Sequence, residues 1–385
     1  MIFLKILVGL IALAVVVFIA AVAYDIHKQH AYEGMVDTHD SQAQVNRLAS
    51  AYVASRPNAA LVIAVTQRGK RYTLGLGKVS AEQSTPPDGS TLFEIGSITK
   101  VFTAATLAML VERGAVSLDD PISRFLPASV VSPSKNGREI TLGELATQTS
   151  GLPRLPDNML ANVDLRNPYA NYHVADLYRD LGATTLRNEP GTTYSYSNFG
   201  FSLLGHLLAL EAGKPYETLV EDTICVPLGL SSTAFTLTPT LRTRLAPGHD
   251  VKGNVVPNWD QDATAQSGAL KSDTDDLLRF IEANLQESDS GLARPLALTR
   301  QIHFKSLGRA VGLAWQIHHS VEHQTILWHN GATGGYCSFL GFDPDTKIGV
   351  VVLSSYGDAM VGDNSVDKIG MEILHFGSKV SLASR

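Results

Sequence analysis

Cysteine is nearly absent from this chain: 385 residues hold two, Cys225 and Cys337. That excludes a small disulfide-stapled scaffold and a cysteine-ligated metal cluster. The two could matter as a pair only by meeting in space, and the simpler expectation is two buried small hydrophobes. Charge is scarce as well. Charged residues make up 18% of the chain, Lys plus Arg 31 against Asp plus Glu 37, for a net −6 with the basic residues dispersed. Nucleic-acid binding therefore has no electrostatic footprint. The histidines make no zinc signature, because His318, His319 and His323 lack a cysteine or acidic partner at ligand spacing, and His27 and His30 follow the N-terminal apolar run. His206, within an apolar stretch, reads as a satisfied core residue. No internal repeat, low-complexity segment or Gly-x-Ser-x-Gly elbow occurs, which removes the strand–turn–helix nucleophile of the α/β-hydrolases. What is abundant is apolar residue, 44% of the chain, enough for a sizeable core.

One apolar run is long. Residues Ile6 to Ala23 carry no charge, follow Lys5, and end in Ala21-Val22-Ala23, a small-x-small pattern. A cleaved signal peptide and a retained membrane anchor through residues 6–23 both fit this run, and Lys5 on the inner side directs the rest outward in either case. The expected localisation is export, to the periplasm or the outer face of the cytoplasmic membrane. The expected layout is signal or anchor over 1–23, tether and N-terminal helix over 24–56, a main domain over 57–372, and a tail over 373–385.

Strand patterns cluster at both ends of the main domain. Leu61 to Val65 and Tyr72 to Leu76, flanking Arg68-Gly69-Lys70, spell a hairpin. Further strands are expected at Leu313–Ile317, Thr325–Trp328, Tyr336–Phe342 and Ile348–Leu353. Between them the chain reads as helical, about 100–300, with starts at Asp120-Pro121, at Thr141 with Glu144 as a capping box, and at Ser272 with Asp275. The fold class is α/β (α+β): a mostly antiparallel sheet from N- and C-terminal segments, flanked by helices, with a large helical subdomain and a site in the crevice between them.

Ser97-Ile98-Thr99-Lys100 opens the apolar stretch Val101 to Val111, which ends at Gly114. A serine and a lysine three apart share one helical face. A lysine can take the serine proton only where desolvation or a cationic neighbour lowers its pKa, and this stretch is apolar enough to bury it. Two other Ser-x-x-Lys matches have poorer settings. Ser132-Pro133-Ser134-Lys135 lies among loop residues, and Ser365-Val366-Asp367-Lys368 reads as a helix start with Ser365 as its N-cap.

Downstream come Pro190-Gly191-Thr192-Thr193-Tyr194-Ser195-Tyr196-Ser197-Asn198 ahead of an apolar helix, and Trp328-His329-Asn330-Gly331-Ala332-Thr333-Gly334-Gly335. Ser-x-x-Lys, Tyr-x-Asn, and a basic residue-x-Gly in this order resemble the serine β-lactamase and DD-peptidase family, nearest its class C and D-Ala-D-Ala carboxypeptidase branch. The stretches Phe93–Ser97, Ile140–Pro153, Pro227–Leu230 and Gly268–Ser272 resemble the same family, so the likeness spans roughly Ala60 to Ser354. Tyr169-Ala170-Asn171 and Lys347-Ile348-Gly349 repeat two of the spellings without their settings.

The resemblance implies roles. Ser97 is the nucleophile, Lys100 and Tyr196 share the general-base work, and Asn198 and His329 with Gly331 bind substrate. The backbone N–H groups of Ser97 and Ala332 form the oxyanion hole. No cofactor and no metal are implied, and the expected partner is a small-molecule or peptide substrate, a β-lactam or a cell-wall peptide. A Tyr196 hydroxyl near the Lys100 ammonium is expected to lean toward phenolate. His329 stands where most β-lactamases carry lysine, and is expected to be partly charged near neutral pH, which favours a peptidase over a fast β-lactamase. A carboxylesterase on the same fold and a non-turnover penicillin-binding sensor are the alternatives.

Overall fold

The computed structural model describes residues 41–377 apart from positions 57, 81–84, 158, 160–162, 286–290, 321–323 and 358–363. The apolar run 6–23 and His27, His30 and His323 lie outside the described residues. Among the described residues no helix is long and apolar enough to cross a membrane.

An eight-stranded antiparallel sheet organises the chain. Its strands are β1 (Ala60–Gln67), β2 (Lys70–Gly77), β3 (Phe304–Ser306), β4 (Arg309–Val311), β5 (Gln316–His319), β6 (Thr325–Ala332), β7 (Cys337–Asp343) and β8 (Ile348–Ser354), in the spatial order β2-β1-β8-β7-β6-β5-β4-β3. N- and C-terminal segments thus share one sheet, with β1 paired directly to β8. The central strands are apolar on both faces because both are covered. On one side Leu61, Ile63 and Val65 pack with Phe339, Val350 and Val352 beneath helices α1 (Ser41–Ala54) and α5 (Val366–Gly377). Val62 and Ala64 face the opposite way, with Leu340, Phe342 and Val351, toward the helical block. Helix α5 runs past residue 372, and Ile373 and Leu374 are buried, so its last turn is packed.

Helix α2 (Thr99–Glu112) passes through the centre of the helical block and is buried from Thr99 to Leu110. Phe102 stacks on Phe280 of α4 (Thr274–Leu285) at 4.4 Å between ring centroids, tying the buried helix to one that lies on the sheet. Helix α3 (Asn198–Ala212) packs alongside and ends at Gly213, whose φ of 61° is the left-handed stop that glycine adopts without strain.

Several local expectations shift. The strand expected at Leu313–Ile317 begins only at Gln316, because Gly312 N–H donates to the Trp315 carbonyl and Ala314 sits at φ 65°, which makes a turn of its first half. The short hairpin β3–β4 had no apolar alternation to reveal it, and its signal was the Leu307-Gly308 turn with Gly308 at φ 74°. The segment around Ser132 contains a small hairpin, Ser134–Lys135 against Arg138–Glu139, closed by Asn136-Gly137, both left-handed. Helix α4 is capped by Asp273, which accepts from Asp276 N–H at 2.9 Å, one residue later than Ser272. The capping box of Thr141 and Glu144 is present, and Ser365 caps α5 by accepting from Lys368 N–H at 3.2 Å.

Cys225 and Cys337 are both buried and lie in different apolar clusters, so they are not joined to each other. Denaturing the protein without reductant and titrating thiols should therefore find both cysteines reactive, while the native protein reacts slowly. Loss of both thiol signals after denaturation would mean a disulfide and a different packing around them.

Candidate active site

Ser97 is a half-buried residue in a run that is otherwise buried from Thr91 to Lys100. It lies in a short 3-10 turn, Gly96–Ile98, that runs directly into α2. Gly96 has φ 48°, and a Cβ there would stand 2.7 Å from the Ala332 nitrogen. A Cβ on Gly331 would meet the Ile95 carbonyl oxygen at 2.1 Å and the Ser97 nitrogen at 2.8 Å. Two glycines therefore let strand β6 close on the turn that carries Ser97, and the Ser338 hydroxyl secures the contact by donating to the Ile95 carbonyl at 2.8 Å. This brings the backbone N–H groups of Ser97 and Ala332 into one neighbourhood.

Lys100 is fully buried, with Nζ 3.0 Å from Ser97 Oγ and 2.6 Å from the Ser267 carbonyl oxygen. Its Nζ lies over the rings of Tyr196 and Phe201, at 5.0 and 5.7 Å from their centroids. No carboxylate compensates it among the described residues. Burial pushes its pKa well below that of an ordinary lysine, and the Arg154 guanidinium pushes the same way. The Ser267 contact was not visible in the motif, although the adjoining Gly268–Ser272 stretch marked the segment.

The Tyr-x-Asn spacing has a local cause. Ser197, the middle residue, is the N-cap of α3: its hydroxyl accepts from Gly200 N–H at 2.8 Å and donates to the Pro153 carbonyl at 2.6 Å. Tyr196 thereby stands just outside the helix, ahead of the extended cap residue, and Asn198 is the first residue inside it. Gln148, left-handed at φ 63°, accepts from Ser197 N–H through its side chain at 2.6 Å and from Ser195 N–H through its carbonyl at 2.7 Å. The Thr141–Pro153 segment thus holds the tyrosine turn in place. The Tyr196 hydroxyl lies near enough to Ser97 for the serine to favour its ionised form, and the enclosed Asn198 Oδ1 has no partner among the described residues.

Strand period places His329. Ile326 and Trp328 face α1 and α5, whereas Leu327 turns to the helical block, so His329 and Gly331 share the face that meets Ser97. Asn330 faces the other way, and its amide donates to Asp367 of α5 at 2.5 Å. Asp367, desolvated there, has its pKa pushed up to about 7. Tyr169 is also near the site: its ring lies edge-on to Trp259 at 5.1 Å, and its ionisation is felt at Tyr196. Lys347 is remote, with its ammonium on the Leu285 carbonyl at 3.2 Å. Lys135 reaches the Leu186 and Arg187 carbonyls.

Two electrostatic expectations are corrected. Tyr196 does not lean toward phenolate: desolvation of its hydroxyl raises its pKa, outweighing the lowering by the Ser97 hydrogen bond and Arg154. His329 is not partly charged. It is 2% exposed, and burial, reinforced by Lys100, lowers its pKa to about 3 despite the 2.7 Å bond from Nδ1 to the Asn330 carbonyl. The imidazole is neutral, with the proton on Nδ1 donated to that carbonyl and Nε2 without a partner among the described residues. NMR of the His329 ring should show this tautomer unchanged from about pH 8 to pH 5, below the unperturbed histidine midpoint of about 6.5. A midpoint near that value would show instead a solvated ring able to carry charge.

A family model described as Beta-lactamase matches residues 45–368. A Beta-lactamase of Pseudomonas fluorescens is 28% identical over 329 residues, covering 77% of this chain and 88% of that protein. The D-alanyl-D-alanine-carboxypeptidase/endopeptidase AmpH of Escherichia coli K12 is 27% identical over 338 residues, covering 84% and 86%. Among solved structures, a class C beta lactamase from Rhodobacter sphaeroides superposes with a TM-score of 0.74 at 25% identity, over 86% of this chain and 98% of that one. A Beta-lactamase/D-alanine Carboxypeptidase from Yersinia pestis shares the fold, with a TM-score of 0.75 at 23% identity over 87% and 98%. With a family match spanning most of its length and relatives aligned across it, the chain belongs to the beta-lactamase family and is a serine hydrolase.

Proposed function

We propose that this chain is an exported hydrolase that acylates Ser97 with D-Ala-D-Ala-type peptides or β-lactams, as a DD-carboxypeptidase or class C-like enzyme. The observation that carries the reading is Lys100, buried without a carboxylate and 3.0 Å from Ser97 Oγ. Export rests on the apolar run 6–23 behind Lys5.

In the proposed cycle, neutral Lys100 Nζ takes the Ser97 proton as Oγ attacks the substrate carbonyl carbon. The negative charge that develops on the carbonyl oxygen is met by the N–H groups of Ser97 and Ala332, aligned beforehand by the Gly96–Gly331 contact. Tyr196, kept a neutral phenol by burial beside Lys100, gives its proton to the departing nitrogen and recovers one from Lys100. The acyl-enzyme then loses its acyl group to water by the same groups in reverse. Asn198 Oδ1, enclosed and unpartnered, accepts from a substrate N–H, and neutral His329 with Gly331 shapes the strand side of the crevice.

Incubation with a fluorescent penicillin tests the nucleophile. Ser97→Ala should abolish covalent label with the fold intact, and label that persists there but disappears in Ser132→Ala would overturn the assignment. Label that is stable for hours in the native protein would mark a sensor rather than a hydrolase.

Lys100→Ala and Tyr196→Phe should each lower acylation by about 10² to 10⁴, the scale of a lost proton-transfer group. The double variant should lose little more, since groups on one proton path are non-additive. Lys100 must be neutral to act, so kcat/KM should fall as pH drops through its depressed pKa, and this acidic limb should survive His329→Gln. Losses that simply multiply, or a limb that vanishes with His329, would mean a different base.

A further inference from the structure

Arg154 is held at the mouth of the site by its backbone. Its carbonyl accepts from Asn198 N–H at 2.9 Å and from Phe199 N–H at 3.2 Å, which fastens it to the first turn of α3. The side chain is exposed, and its guanidinium carbon lies 4.9 Å from the centroid of the Tyr196 ring. Several other arginines of the fold are matched by carboxylates, as Arg138 is by Glu144 at 2.7 Å and Arg244 by Asp273 at 2.5 Å. Among the described residues no carboxylate lies within ion-pairing distance of Arg154. Its charge is nonetheless felt across the site, at Lys100, Tyr196, Tyr194 and Tyr169.

The neighbouring candidates for a positive charge are disqualified by their surroundings. Lys100 is enclosed and spent on Ser97 and the Ser267 carbonyl. His329 donates its ring proton to the backbone, and Lys271 turns its ammonium to the Phe235 carbonyl at 3.0 Å. A guanidinium stacked on an aromatic ring keeps its edge donors available, and its planar fork suits a carboxylate.

We propose that Arg154 is a specificity-determining residue of the site, which binds a carboxylate of the substrate and selects anionic substrates over neutral ones. This deepens the serine-hydrolase reading and depends on it. Arg154, at the Tyr-x-Asn side of the crevice, takes the electrostatic task expected of His329, and because arginine does not titrate the selection persists to alkaline pH.

The test uses the full chain and two matched substrate pairs. One pair is p-nitrophenyl butyrate and the mono-p-nitrophenyl ester of glutaric acid, which differ by a carboxylate on the acyl group. The other is an acyl-D-Ala-D-Ala peptide and its C-terminal amide, which differ by a carboxylate on the leaving group. Arg154→Gln should lower the anionic-to-neutral ratio of kcat/KM about tenfold or more for at least one pair, mainly through KM. Arg154→Lys should recover part of the ratio, and about 0.5 M NaCl should erode it in the native protein. Removing the guanidinium charge should also raise the Lys100 pKa and move the acidic limb of the pH profile upward, which loss of a stacking side chain alone would not do. Ratios within about twofold of native for both pairs in Arg154→Gln, with turnover still abolished by Ser97→Ala, would overturn the Arg154 assignment and leave the hydrolase reading standing. Turnover that survives Ser97→Ala would overturn the hydrolase reading itself.

Discussion

The structure depends on one uncompensated amine. Lys100 is enclosed on every side, touches no carboxylate in the described fold, and has the Ser97 hydroxyl and the Ser267 carbonyl as its polar neighbours. An ammonium in such a place would cost several kcal/mol, so burial shifts the group toward its neutral form, beside the Ser97 oxygen. The surrounding architecture serves that condition. Helix α2 is buried over most of its length so that its first turn can bury a lysine, and the aromatic rings of Tyr196 and Phe201 exclude water from it.

The site is assembled from two layers that cannot slide. The helical block supplies Ser97, Lys100, Tyr196 and Asn198, and the sheet supplies His329, Gly331 and Ala332 through strand β6. The layers meet where Gly96 and Gly331 bring backbone against backbone, at separations that a single methyl group would fill. Close-packed interiors transmit such an intrusion rather than absorb it, so the distance between Ser97 and strand β6 is set by the absence of two side chains. On the outer face Asn330 ties the same strand to Asp367, extending the chain of contacts from the crevice to the C-terminal helix.

Electrostatically the site is poorer in charge than its motif suggests. Lysine, tyrosine and histidine all sit in the crevice, and desolvation drives each toward its neutral form: Lys100 and His329 downward, Tyr196 upward. In the proposed cycle, proton transfer among neutral groups would need little charge separation before the substrate arrives, and the charge that develops would fall to backbone N–H groups. A positive charge that bears on Lys100 and Tyr196 comes from outside the three motifs, from Arg154 at the rim.

By itself the sequence determined the architecture and which residues were candidates for the site. Continuous apolar strand runs near both ends with a helical middle specify a sheet shared by N- and C-terminal segments, because that arrangement buries the β1 and β8 faces together. The Ser97-x-x-Lys100 spacing follows from helical periodicity, and Tyr196 and Asn198 flank an N-cap serine whose preference is local. What the tertiary structure alone decided is the protonation of these groups. Ionisation depends on how completely a group is removed from water and on which charges face it from other elements. The neutral state of His329, the raised pKa of Tyr196 and the reach of Arg154 over four site residues all arise between segments far apart in the chain, where residue order carries no record of distance.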